Sequence, residues 1–184
     1  MEICNVVSSY SLPIDVCLKH IHEELRPISV RKRDFPSVSL RLNKSELCQI
    51  FKNGKMIVIG GRSIEQNTAL FADYVELLQY LGYNFRLGTP VIQNIVARYV
   101  HPGQINLYKF ANVRGVKKLV LYEPEIFQAI RYRTEGLSVT INIFHTGKCM
   151  VLGAKNAAEL AKAHSCLIKL LRVVPSFQDH HGTS

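Results

Sequence analysis

Side chains able to do covalent or metal chemistry are few in this chain and badly spaced for it. Five cysteines, Cys4, Cys17, Cys48, Cys149 and Cys166, are odd in number, lie in apolar segments and form no C-x-x-C pair. That is the pattern of reduced, mostly buried thiols rather than of zinc ligands or disulfides. His20-x-His22 and His180-His181 have no Cys or carboxylate at supporting spacing, so they read as a solvated helix face and a frayed tail rather than as metal ligands. There is no Ser-His-Asp order, no pair of acids at catalytic spacing and no Gly-rich phosphate loop, so no enzyme activity, no metal and no cofactor are expected. What the chain does carry is positive charge: 23 Lys and Arg against 14 Asp and Glu, a net +9 over 184 residues. A field of that sign concentrates polyanions or anionic surfaces.

The elements that must position any binding residues come in duplicate. Ile50-Phe51-Lys52-Asn53-Gly54-Lys55-Met56-Ile57-Val58-Ile59-Gly60 recurs as Ile143-Phe144-His145-Thr146-Gly147-Lys148-Cys149-Met150-Val151-Leu152-Gly153, six of eleven positions being identical at an offset of 93. Asn5-Val6-Val7 returns as Asn94-Ile95-Val96 at offset 89, and Phe35 with Arg41 as Phe127 with Arg133 at offset 92. The drift means small loop insertions in the second copy. Residues 1–88 and 89–173 are therefore expected to be two repeats, followed by a tail at 174–184 that combines Pro, Ser and Gly without an apolar pattern.

Each repeat reads as an apolar strand, a short helix, several β-rich runs broken by Gly or Pro, and a longer helix. The long helix is expected from Ser63, a candidate N-cap, to Leu81 before Gly82, and in the second copy from about Lys155 to Arg172, with Pro175 beyond its end. The Asn53-Gly54 turn signal makes the strands around it antiparallel neighbours. On the strand after it, Lys55, Ile57 and Ile59 alternate with Met56, Val58 and Gly60; the second copy sets Lys148, Met150 and Leu152 against Cys149, Val151 and Gly153. Both faces are apolar, yet one long helix per repeat covers only one of them. The other face is then a broad apolar surface rimmed by Lys and Arg that a partner occupies, unless a third layer or a homodimer hides it. No run of about eighteen apolar residues occurs, and MEICNVVSSY has neither a basic n-region nor a long apolar one. A protein that is soluble and not secreted is expected.

On these residues the doubled unit resembles the core of the TATA-box-binding protein family over about residues 3 to 172. The shared features are Asn-x-Val in the first strand of each half, Ile-Phe-x-x-Gly-Lys in each half, Tyr122-Glu123-Pro124-Glu125-Ile126-Phe127, and Gly-Ala-Lys after the last strand. The resemblance implies an α+β fold, a pseudo-symmetric two-repeat saddle whose curved ten-stranded antiparallel sheet has helices on its convex side and double-stranded DNA under its concave one. It also implies an initiation factor working in the nucleus, with an archaeal or viral origin left open, that kinks promoter DNA by driving apolar wedges into the minor groove, at about a few kcal/mol per unstacked step.

Residue by residue, the likeness puts the wedges at Phe35 with Phe51 and Phe127 with Phe144. Asn5 and Asn94 fall near the centre of the groove floor, where an amide donates to A N3 or T O2. Val7, Val96, Ile57 and Met150 line that floor, and Arg41, Arg133, Lys55 and Lys148 reach phosphates. Glu123, Glu125 and Ile126 match the residues that engage transcription factor IIB; other initiation factors are further expected partners. The alternative within the same fold is a module that binds protein through the sheet and leaves DNA straight.

Departures from the family pattern are paired. Ile59 and Leu152 stand where the family has Thr, which removes two polar floor contacts. Gln49 and Asn142 replace Leu, and their amides could meet pyrimidine O2 or guanine N2, so a shifted sequence preference is expected. Asp34 takes the place of a usual Arg or Lys. The Arg31-Lys32-Arg33 run reads as solvated surface, and the helix from Ser63 to Leu81 carries Glu65, Asp73 and Glu76 but no Lys or Arg.

Overall fold

A computed structural model describes residues 1–31, 35–133, 136 and 138–173. Lys32, Arg33, Asp34, Pro175, His180 and His181 lie outside the described residues. The chain divides into two compact units, Ile3–Asn94 and Met1–Glu2 with Ile95–Ser184.

The first unit runs β1 (Glu2–Ser11), α1 (Leu18–Glu24), β2 (Ser29–Arg31), β3 (Ser37–Leu40), β4 (Leu47–Phe51), β5 (Lys55–Gly60) and α2 (Ile64–Tyr80). The second repeats that order as β6 (Val91–Val100), α3 (Leu107–Ala111), β7 (Val120–Leu121), β8 (Ala129–Arg133), β9 (Thr140–Phe144), β10 (Lys148–Ala154) and α4 (Ala157–Leu171). Strand order is β2-β3-β4-β5-β1 in one unit and β6-β10-β9-β8-β7 in the other, antiparallel throughout.

Both long helices begin with the same capping geometry. Ser63 accepts from the Gln66 amide while Gln66 Oε1 accepts from the Arg62 amide; Asn156 accepts from the Glu159 amide while Glu159 accepts from Lys155. Each reciprocal pair satisfies one orphan amide of the first helical turn and the amide of the residue before the cap. The end of α2 is a Schellman closure, in which Gly82 at φ +90° lets its own amide bond Gln79 O and the Tyr83 amide bond Leu78 O.

The Asn53-Gly54 hairpin joins β4 to β5 as expected, but not through a two-residue turn. Gly54 N–H bonds Phe51 O, Gly54 alone has positive φ, and the three-residue loop is a type I turn followed by a left-handed glycine. Gly147 repeats this with Phe144 O. The cause is a second chain segment lying on the loop: Leu12 N–H bonds Gly54 O and Val16 N–H bonds Lys52 O, just as His101 bonds Gly147 O and Ile105 bonds His145 O. A Cβ on Gly54 would stand 2.4 Å from Ile14 O, and one on Gly147 2.5 Å from His101 O.

Helices cover one face of each sheet. Met56, Val58, Cys48, Ile50, Val38 and Leu40 are buried against Phe71, Tyr74, Val75 and Leu78 of α2. Cys149, Val151, Ile141, Ile143 and Ile130 are buried in the second unit together with Leu160, Ala163 and Leu167 of α4. One expectation needs correcting: of the five thiols only Cys48 and Cys149 are buried, Cys166 is half-buried, and Cys4 and Cys17 are exposed. Cys17 sits at the N-cap position of α1, outside its buried stripe. His22 is also not simply solvated: its Nδ1 lies 2.8 Å from Ser29 Oγ and it is half-buried. No group of His, Cys, Asp and Glu among the described residues could hold a metal ion, and no helix among them is long and apolar enough to cross a membrane.

Candidate nucleic-acid interface

Alternation puts every second residue of these strands on the face the helices leave uncovered, and the registers line those residues up in rows. In the first unit Gln49 is opposite both Ser39 and Ile57, and Ile57 is opposite Ser9. The next row is Leu47, Ile59 and Val7, and Ser37 faces Phe51 at the end. Gln49, Ile57, Ile59 and Val7 are all half-buried, neither packed core nor free surface. In the second unit the matching rows are Arg131, Asn142, Met150 and Arg98, then Thr140 with Leu152, then Ala129 with Phe144. Here β10 shifts register against β6 between Val151 and Ala154, so Val96 and Leu152 do not repeat the direct pairing of Val7 with Ile59.

The four phenylalanines form two pairs. Phe35 and Phe51 have ring centroids 6.2 Å apart at 58°, and Phe127 and Phe144 6.0 Å apart at 70°. Phe35 is 48 % exposed, and the other three are half-buried at strand or turn ends. Offset, tilted pairs of this kind are favourable for aromatic quadrupoles while leaving ring surface open.

Asn5 is oriented by the backbone. Its Oδ1 accepts from the Gly60 amide at 3.0 Å, which leaves the amide NH2 as its outward donor. Asn94 is half-buried at the matching place in β6. Asn142 Oδ1 is buried without a hydrogen-bond partner. Of the cations, Lys55, Lys148 and Arg133 are exposed, and Arg41 is exposed with one bond from its guanidinium to Glu46 O at 3.3 Å. Glu123, Glu125 and Ile126 are exposed in the turn before Phe127, Ile126 at 80 %, beside a hollow of about 430 Å³ walled by Tyr108, Leu121 and Tyr122. Glu65, Asp73 and Glu76 are exposed on α2, which makes its outer surface acidic.

Sequence reasoning passed over Arg131 and Arg98. Arg131 lies on the uncovered face with its guanidinium carbon 5.3 Å from the centre of the Phe127 ring, and Arg98 is bonded to Glu2 at 2.7 Å. The repeat offsets would have flagged both, since their counterparts are Ser39 (131 − 92) and Ser9 (98 − 89).

The chain is 30% identical to TATA-box-binding protein 2 of Entamoeba histolytica, over 92% of this chain and 80% of that protein. It is 28% identical to the TATA-box-binding protein of Archaeoglobus fulgidus, over 95% and 96%. The solved structure of Methanococcus jannaschii TBP superposes with a TM-score of 0.80 at 25% identity, covering 92% of this chain and 97% of that one. The α+β two-repeat fold expected from the sequence is the fold this likeness shows. The family model described as transcription factor TFIID, or TATA-binding protein, matches residues 1–81 and 89–174, and the chain belongs to that family.

Proposed function

We propose that this protein is a general transcription initiation factor that binds the minor groove of promoter DNA through the uncovered sheet faces of its two repeats, 1–88 and 89–173, bends the duplex with its phenylalanine pairs and recruits a transcription factor IIB-like protein. The observation that carries the reading is the pair of rings at matched repeat positions, Phe35 with Phe51 and Phe127 with Phe144, each beside an apolar floor that no helix covers. Such rings fill the gap when a base step is unstacked. Asn5 and Asn94 donate to groove-floor acceptors, Val7, Val96, Ile57, Ile59, Met150 and Leu152 supply the apolar floor, and Arg41, Lys55, Arg133 and Lys148 meet phosphates. Family membership and the +9 charge support a polyanionic partner. In a eukaryotic cell the place of work is the nucleus.

The preferred site is shifted from an ordinary TATA box. Ile59 and Leu152 offer no hydrogen bond, whereas Gln49 and Asn142 add amides to the floor rows, and an amide oxygen can accept from guanine N2. Energy transfer between dyes at the two ends of a selected duplex tests the reading: binding brings the ends closer, and Phe127→Ala with Phe144→Ala abolishes that change. DNA that stays straight under saturating protein refutes it and favours a protein-binding module. Selection from random duplexes is expected to return G·C-tolerant sites that Gln49→Leu with Asn142→Leu moves back toward A·T; a TATAAA-like consensus untouched by those changes refutes the shift. Glu125→Arg is expected to weaken the ternary complex with the IIB-like factor and to leave DNA affinity unchanged; loss of both in parallel removes the docking assignment.

A further inference from the structure

We infer that Arg131 is an additional DNA-contacting residue, held in reserve on Phe127 in the unbound protein and donating to a backbone phosphate beside the step that Phe127 enters, so that the second repeat grips the duplex through one more cation than the first. The inference rests on the DNA-bending reading above. Four observations carry it. Arg131 occupies the uncovered face in mid-strand, opposite Asn142, where the first repeat has Ser39 opposite Gln49. Its guanidinium packs over the Phe127 ring at 5.3 Å, and no carboxylate among the described residues pairs with it. Arg98, the other guanidinium of that row, already has Glu2. Finally, the hollow beside the wedge differs between repeats: about 260 Å³ walled by Val30, Phe35, Ser39 and Gln49 in the first, but about 30 Å³ walled by Leu121, Phe127, Ala129 and Arg131 in the second.

A half-buried guanidinium on an apolar face is costly unless something offsets its lost hydration. Stacking on an aromatic ring returns part of that cost through attraction between the cation and the ring quadrupole. The stack covers a face of the ring that must enter the duplex, so insertion of Phe127 displaces the guanidinium toward the rim. The anion met there is the sugar-phosphate backbone, which a planar five-donor fork suits well. Asn142 stands directly across the strand pair from Arg131 and makes no hydrogen bond to it through its buried Oδ1, so the guanidinium donors stay free for an anion. In the first repeat Ser39 leaves the corresponding space open and contributes no charge.

The test is the salt dependence of duplex binding by the full chain. Neutralising one phosphate releases its counterions and contributes about 0.9 to the slope of log K against log salt. Arg131→Ser is therefore expected to lower the slope by about 0.9, so that its deficit against wild type shrinks about 3.5-fold between about 50 and about 200 mM salt. Arg131→Lys keeps most of the slope, and Ser39→Arg added to Arg131→Ser restores it. Lys162→Ser, an equal loss of charge on the exposed side of α4, leaves the slope unchanged. Far-ultraviolet circular dichroism and thermal melting confirm that each variant is folded. A slope for Arg131→Ser equal to that of wild type overturns this inference alone. Wild-type protein that binds no duplex overturns it together with the reading on which it rests.

Discussion

Cys48 and Cys149 are sealed against apolar neighbours, and burial pushes the Cys149 thiol up to about 12 and raises Cys48 as well. An unfolded thiol ionises from its ordinary value of 9.0. Because the folded value is the higher one, the stabilising contribution of the neutral thiol is fully present below about pH 9 and drains away as pH rises toward the folded value. The buried Tyr74 phenol, also raised by desolvation, acts in the same direction. The urea midpoint is expected to fall between pH 8 and pH 10.5, and Cys149→Ala to flatten that fall. An identical midpoint at the two pH values would disprove the argument. At this scale most of the candidate site was legible, because floor and wedge positions are duplicated and a duplicated residue type points to a duplicated job. Arg131 leaves a fainter mark, since it has no like-charged copy and only its mismatch with Ser39 in the repeat offset points to it, while its packing over Phe127 is visible only in three dimensions. The outward aim of the Asn5 amide was also hidden, being set by the Gly60 amide 55 residues away.

Among elements, the contact of the long helix with the first strand of each unit is solved in two chemical ways. In the first, Ser8 Oγ donates to Asn67 Oδ1 and Asn67 Nδ2 donates to Val6 O at 3.1 Å, all fully buried. In the second, the counterparts of Ser8 and Asn67 are Ala97 (8 + 89) and Leu160 (67 + 93), both buried. The first unit therefore has a polar clamp where the second has two buried apolar side chains. Removing one partner strands a buried hydroxyl, at about 1–3 kcal/mol, whereas replacing both with apolar groups of suitable shape is near neutral. Asn67→Leu alone is expected to lower stability by about that amount, and Ser8→Ala with Asn67→Leu to regain most of it. Strict additivity in the double-mutant cycle would mean that the two side chains do not act as a unit. Element identities could be read from periodicity and the repeat, the pairing of β4 with β5 from the Asn53-Gly54 turn signal and the ten-stranded sheet only from the family resemblance, and Ser63 and Gly82 did close α2. Turn geometry could not be read, because the segments at 12–16 and 101–105 that press on the hairpins are distant in sequence. The register shift in β10 leaves no mark on the pattern of apolar residues.

For the molecule as a whole, the decisive property is that each unit keeps an apolar sheet face uncovered by its helices while the chain carries +9. Covering such a face with duplex DNA removes apolar area from water and releases counterions from phosphate, two driving forces that respond oppositely to salt. A ligand that binds only the folded state stabilises it by RT ln(1 + [L]/Kd), about 2.7 kcal/mol at a hundredfold excess over Kd. For a chain of this length that is a rise of about 5–10 °C in Tm. Bent-site duplex is expected to raise Tm by this amount near 50 mM salt. At 500 mM the rise is expected to shrink sharply, while the ligand-free Tm moves little, because the described cores are built of apolar side chains and the Lys19–Glu23 and Arg98–Glu2 ion pairs both lie at the surface. Differential scanning fluorimetry across a salt series separates the cases. A rise that persists at 500 mM would assign the binding mainly to the apolar floor rather than to phosphate contacts, and no rise at either salt would remove DNA as the partner of these faces.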